Sequence, residues 1–179
     1  MIEKSLKDAK NIYYIHLVGE IEETRVAKTV EELDIGNAKE YVDEIRLTLV
    51  SYGGDLLYGM ALYQHIKSSK KPVTIVTEGV CMSVAVTILQ AANLRVSRPQ
   101  CVFMVHPSIT TLEERSYPEF ISMVEQFKKT HDVFVDLTIK RSGMEKNEFE
   151  SIYNPRKYLT PQEALEFGKF GLIDEIREN

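Results

Sequence analysis

No stretch of the chain stays apolar for long. Charged residues interrupt every hydrophobic run well before the about 18 residues that suggest a membrane span, so no membrane partner is expected. Met1-Ile-Glu-Lys does not begin a secretory leader, and the expected location is cytoplasmic. Cysteine is scarce. Cys81 and Cys101 lack metal-ligand spacing and lie inside apolar runs, which reads as reduced core thiols. His16, His65, His106 and His131 form no pair at metal-binding spacing, so neither a metal nor another cofactor is expected. There is no polybasic run, and a net charge of −5 gives nucleic acid no electrostatic support. Repeats, low-complexity tracts and Pro/Gly/Ser linkers are missing too. What remains is one domain over residues 1–179, with 44% hydrophobic and 27% charged residues, enough to bury a core of its own.

Four short β-branched or aromatic runs read as strands: Ile12–Val18, Glu44–Val50, Pro72–Thr77 and Cys101–Val105. Helical patterns lie between them. Asp55–Ser69 carries Leu56, Tyr58, Met60, Tyr63 and Ile66 as a core-facing stripe, and Met82–Ala92 is apolar nearly all round and must be buried. This alternation is the grammar of a parallel α/β sheet. Two further helices announce their starts with capping boxes. Ser116 stands three before Glu119 with Pro118 between; Thr160 stands three before Glu163 with Pro161 at the first helical position. The second should stop near Gly168. The first meets no breaker until Ser142-Gly143, which gives it about 25 residues and about 37 Å. That is longer than a small sheet needs. Phe120, Met123, Val124, Phe127, Val133, Phe134 and Leu137 keep it apolar, so its far end is expected to project and bury against another subunit.

Three features carry chemistry. Ser51-Tyr52-Gly53-Gly54-Asp55 sits between a strand and a helix, where glycines let bare amides face a cavity and where open α/β sheets bind ligands. Ser83 interrupts an apolar segment. Such a serine also serves as a packing residue bonded back to a carbonyl. Gly79, four residues earlier, changes the weighing: a turn from strand to helix there would put Ser83 in the first helical turn, where free amides and the helix dipole stabilise an oxyanion. His106 ends a strand and Pro107 holds it extended. The separation, 106 − 83 = 23 residues, lets a helix leave the site and a strand return to it. A hydroxyl and an imidazole so placed are the parts of a serine nucleophile.

These residues, and others around them, resemble the proteolytic subunit of the Clp protease, a self-compartmentalised serine peptidase. Gly19-Glu-Ile-Glu-Glu is similar to its early glycine-and-acid turn, and Ser51-Tyr-Gly-Gly to its Ser-Pro-Gly-Gly. Gly79-Val-Cys-Met-Ser83 resembles its Gly-x-Ala-Ala-Ser, with Leu89 and Ala91 following in place. Arg95-Val-Ser-Arg-Pro, running on to His106, resembles the stretch that leads to its catalytic histidine. Leu159-Thr-Pro-Gln-Glu-Ala, with Gly171-Leu-Ile-Asp174, resembles its closing motif.

The resemblance implies an α/β fold, the spiral of βαβ units shared with the crotonases, with a long handle helix over about 117–141. It also implies a serine endopeptidase. Ser83 would be the nucleophile and His106 the general base, with the oxyanion hole on amides of Gly53 or Gly54 and of Val84. Partners implied are other copies of the chain in rings (heptamers, stacked through the handle), an AAA+ unfoldase and polypeptide substrates.

The departures are specific. Arg156 stands at the position of the family's catalytic Asp, and Asn154, two residues earlier, is the candidate replacement orienter. Tyr52 replaces a proline, Val84-Ala85 replaces Met-Gly, and Lys169-Phe170 extends the stretch before Leu172. The first strand candidate comes close to Met1, so the axial loops that the resemblance implies are expected to be missing or curtailed. Arg156 motivates an alternative: a catalytically weak or inactive ring subunit with an assembly role. A crotonase-type acyl-CoA enzyme shares the architecture, but the Ser83/His106 pair and the short chain count against it.

Overall fold

Short β-branched runs build the sheet, and most lie where the sequence puts them. The computed structural model describes residues 11–109 and 116–178. In it β1 (Ile12–Val18), β2 (Glu44–Ser51) and β3 (Val73–Met82) lie parallel and adjacent. Beyond them come β4 (Leu94–Ser97) and β7 (Glu175–Ile176), giving the order β1-β2-β3-β4-β7. Parallel strands are covered on both faces, and Ile15, Leu17, Ile45, Leu47, Leu49 and Ile75 are accordingly buried. The covering helices are α1 (Glu23–Ala38), α2 (Leu56–Lys67), α3 (Val84–Leu89), α4 (Tyr117–Ile139), α5 (Lys146–Tyr153) and α6 (Pro161–Leu165).

β3 is longer than its sequence reading, and this matters for the site. Leu49 pairs with Thr77 but Ser51 pairs with Cys81, so β3 carries two extra residues against β2. Gly79, at φ +62°, lies in that bulge, a conformation glycine adopts without cost. Before the bulge β3 pairs with β4; after it, Val80–Met82 pairs with β5 (Val102–Val105). β6 (Lys157–Leu159) then runs antiparallel along β5. The expected turn into a helix at Gly79 is therefore corrected. The strand bends there and runs on to Met82, and Ser83 stands just before α3 rather than in its first turn.

Several elements have no counterpart in the sequence reading. α1 escaped because its buried face uses Thr29 and Gly36 beside Val26 and Leu33, two of which are not apolar markers. β4, LRVS, is obscured by Arg95, whose side chain is buried. The charge is tolerated because Asp174 lies 2.5 Å away, while Gln90 Oε1 (2.6 Å) and the Gly171 carbonyl (2.9 Å) accept its remaining N–H groups. Gln90 Nε2 in turn donates to the Leu172 carbonyl, so one guanidinium ties α3, β4 and the C-terminal segment together. Both capping boxes form.

Helix α4 spans 23 residues, about 35 Å. Only its second half packs on the domain, through Phe134, Val135, Thr138 and Ile139. Thr138 is hydrogen-bonded to Thr87 of α3 at 2.7 Å. Its first half exposes Tyr117, Phe120, Ile121 and Val124. Among the described residues no helix is long and apolar enough to cross a membrane.

Arg95→Ala leaves Gln90 Oε1 without its partner and Asp174 with only the longer ion pair to Arg141 at 3.4 Å. The expected loss is about 3–5 kcal/mol, measured by chemical denaturation near neutral pH. Burial pushes the Asp174 carboxyl up, but the hydrogen bonds and charge of Arg95 outweigh it and hold its pKa below the ordinary value. A depressed carboxylate stabilises above its unfolded pKa, about 3.9. The wild-type advantage over Arg95→Ala is therefore full at neutral pH and shrinks as acid is added below about pH 4.

Candidate active site

The site forms where β2, β3 and β5 end side by side. β2 delivers Ser51–Asp55, and the Asp55 carboxylate caps α2 by accepting from the amides of Leu57 (2.8 Å) and Tyr58 (3.0 Å). Ile21 locks the loop from the far side: its N–H donates to the Gly53 carbonyl (2.8 Å), and its carbonyl accepts from Asp55 N–H (2.7 Å). That pattern skips the Gly54 amide. The Gly53 amide is already used, donating to Ser51 Oγ at 3.0 Å. Gly54, not Gly53, is thus the glycine whose N–H has no partner among the described residues. The closeness is absolute: a Cβ on Gly54 would come 2.3 Å from the Ile21 carbonyl oxygen, and one on Gly53 2.6 Å from Ser83 Cβ.

Ser83 follows β3 with φ 55° and ψ −130°, the one non-glycine residue at positive φ among those described. Such a conformation costs on the order of 1–3 kcal/mol and persists only when its surroundings impose it. Here they do. Ser83 N–H donates to the Met104 carbonyl of β5 (2.8 Å), and Ser83 carbonyl accepts from Val86 N–H (2.9 Å). Val84, first residue of α3, is left with an amide that no helical turn can satisfy.

His106 follows β5 at once, and its Nε2 lies 2.9 Å from Ser83 Oγ. Register explains what faces it. β5 and β6 pair Phe103 with Leu159, Met104 with Tyr158 and Val105 with Lys157. One step further sets Arg156 opposite His106. Partial burial lowers the pKa of the imidazole first, and the Arg156 charge lowers it further; the backbone carbonyl of Pro107 pulls weakly the other way. A depressed pKa keeps the ring neutral, the form that accepts a proton. Asn154 is not brought to it. That residue ends α5 exposed, and no hydrogen bond joins it to His106.

A cavity of about 530 Å³ opens on the pair. Tyr52, Leu56 and Leu57 line it from the β2 side, Ser108 and Ile109 from the segment that follows β5 and His106, and Met123, Gln126, Phe127 and Thr130 from α4. Among the described residues no cluster of three or more His, Cys, Asp or Glu side chains has the arrangement to hold a metal ion. Sequence reasoning missed Ser108 as a lining residue. Nothing in a lone Pro-Ser after a strand marks it.

A hydroxyl on a strained turn, an imidazole just past the neighbouring strand and two unpartnered amides beside a cavity of mixed polar and apolar lining are parts from which a serine nucleophile can be built. Comparison with known proteins gives the lineage. The Clp protease family profile matches residues 3–179, and the chain belongs to that family. It is 25% identical to the ATP-dependent Clp protease proteolytic subunit of Deinococcus radiodurans, over 92% of this chain and 82% of that one. It is 24% identical to proteolytic subunit 1 of Chlamydia trachomatis serovar D, over 98% and 90%. A solved ClpP1 mutant from Listeria monocytogenes superposes with a TM-score of 0.82 at 21% identity, covering 100% of this chain and 97% of that one. The fold is that of a Clp proteolytic subunit.

Replacing Arg156 by Ala removes a cation facing His106. The His106 pKa is expected to rise, toward but not up to the ordinary histidine value, because burial still acts on it. A histidine NMR titration checks this; an unmoved midpoint means that Arg156 does not sit across from the ring.

Proposed function

We propose that this chain is a serine endopeptidase, the proteolytic subunit of a Clp-type, self-compartmentalised protease. The observation that carries the reading is the 2.9 Å contact between Ser83 Oγ and His106 Nε2 on a strained turn. His106 takes the Ser83 proton as the oxygen attacks a peptide carbonyl, then returns it to the departing amine. The amides of Gly54 and Val84 receive the oxyanion. Water, deprotonated by the same imidazole, then hydrolyses the acyl-enzyme. The polypeptide lies extended along the Ser51–Gly54 edge, held mainly through its backbone, with an apolar side chain in the cavity. No cofactor is needed. Copies assemble into rings of seven, stacked through the exposed apolar face of α4, in the cytoplasm, where an AAA+ unfoldase feeds substrate.

The pair works as a dyad. Asn154, the candidate orienter, is expected to contribute little, so Asn154→Ala should keep kcat/KM within about threefold of wild type, whereas Ser83→Ala should abolish peptide cleavage. A fluorophosphonate followed by mass mapping tests the nucleophile: the adduct is expected on Ser83. Cleavage surviving in Ser83→Ala, with label on another residue, ends the reading. Because a base must be neutral to act and His106 is depressed, the acidic limb of kcat/KM should fall below about pH 6.5, the ordinary histidine value. In Arg156→Ala the limb should move upward.

Arg156 also favours a second reading, a ring subunit of low or no activity that shapes mixed assemblies. A cation where a carboxylate would stabilise the imidazolium works against the transition state. Protein that assembles yet neither reacts with the probe nor cleaves fluorogenic peptides, and that gains both in Arg156→Asp, would decide for it.

A further inference from the structure

A second hydroxyl–imidazole pair stands beside the first. His131, on α4, has Nδ1 2.9 Å from Ser108 Oγ and Nε2 3.0 Å from the Tyr153 hydroxyl. Its ring is stacked on Phe127 at 6.4 Å and meets Tyr153 edge-on at 6.3 Å, so it has little room to turn. A neutral imidazole donates from one nitrogen and accepts at the other, and each hydroxyl can play either part. Both nitrogens are therefore satisfied.

The three partners belong to three segments. His131 lies on the half of α4 that starts to pack on the domain. Tyr153 is buried at the end of α5. Ser108 is two residues beyond His106, with Pro107 between them. Proline fixes its own φ, and the carbonyl of Pro107 acts on the His106 side chain. A shift of Ser108 is therefore passed to the backbone that carries the imidazole and to the carbonyl that faces it. In a Ser-His-Asp site a carboxylate holds the imidazole in orientation. Here Arg156 occupies the facing position and cannot do so, and Asn154 does not reach.

We propose that His131 is a positioning residue for His106: from the handle helix it pins Ser108, and through Pro107 it holds the imidazole toward Ser83 in place of the missing carboxylate. The inference rests on the peptidase reading above. His131 touches neither substrate nor the reacting atoms; it acts only through Ser108.

The test uses the full-length assembled protein and a fluorophosphonate, whose rate of reaction with Ser83 reports the alignment of His106 without a peptide. Ser108→Ala and His131→Phe are each expected to lower that rate, and kcat on a fluorogenic peptide, by about tenfold or more, the scale set by a misplaced catalytic group. In His131→Phe KM should stay within about twofold, since His131 does not line the cavity. The double variant should be no worse than either single one. His131→Asn keeps a polar atom at the Nδ1 position and should restore most of the rate; His131→Gln keeps one at the Nε2 position and should not. A wild-type rate in Ser108→Ala, or rescue by Gln and not by Asn, overturns the inference. Should His131→Phe lose its fold by circular dichroism, Ser108→Ala decides alone. If the wild-type protein does not react with the probe, the peptidase reading falls instead. The brace is then read from the His106 ε1 resonance by NMR: a shift in Ser108→Ala supports it, and an unmoved resonance overturns it.

Discussion

The site depends on one irregularity in one strand. β3 carries two more residues than β2 around Gly79, so its first half keeps company with β4 while its second half turns toward β5. Without that division β5 would have no place beside the end of β3, and His106 would not arrive next to Ser83. The pairing of Met82 with Met104 brings the two chain ends level, and the Ser83 N–H bond to the Met104 carbonyl then fixes the nucleophile's backbone in its unfavourable φ. The strain at Ser83 is thus balanced by sheet pairing and by helix α3, which starts at the next residue. Gly53 and Gly54 complete the arrangement because any side chain there would strike Ser83 or Ile21.

Two arginines show how the same charge serves opposite ends. Arg95 is buried, and it is tolerable there because Asp174, Gln90 and two carbonyls between them accept its N–H groups. It holds the C-terminal segment against β4 and α3. Arg156 is exposed and has no acidic partner among the described residues. Its effect is electrostatic: it opposes protonation of the imidazole that register places across from it. The first stabilises the fold; the second tunes the chemistry.

The sequence was legible where local chemistry dictates local structure. Alternating β-branched runs marked β1 and β2 almost to the residue, and hydroxyl–proline–glutamate spacing marked the starts of α4 and α6. It was opaque where distant groups decide. LRVS does not read as a buried strand until Asp174, 79 residues later, neutralises Arg95. Thr29 and Gly36 hide the buried face of α1, since Gly36 is inside only because Tyr13 and Ile45 leave no room for a side chain. The turn expected at Gly79 proved to be a bulge, because a positive φ serves either and only the neighbouring strands choose.

By itself, the order of residues determined that a hydroxyl, an imidazole and a pair of glycines would each follow a strand, because strand and turn preferences act within a few residues. Whether they would meet was settled by pairing between strands. The same tertiary level placed Arg156 across from His106, turned the Gly53 amide inward and left that of Gly54 unused, and bound His131 to Ser108. Those outcomes depend on register and on packing of segments far apart in the chain, and no local preference encodes them.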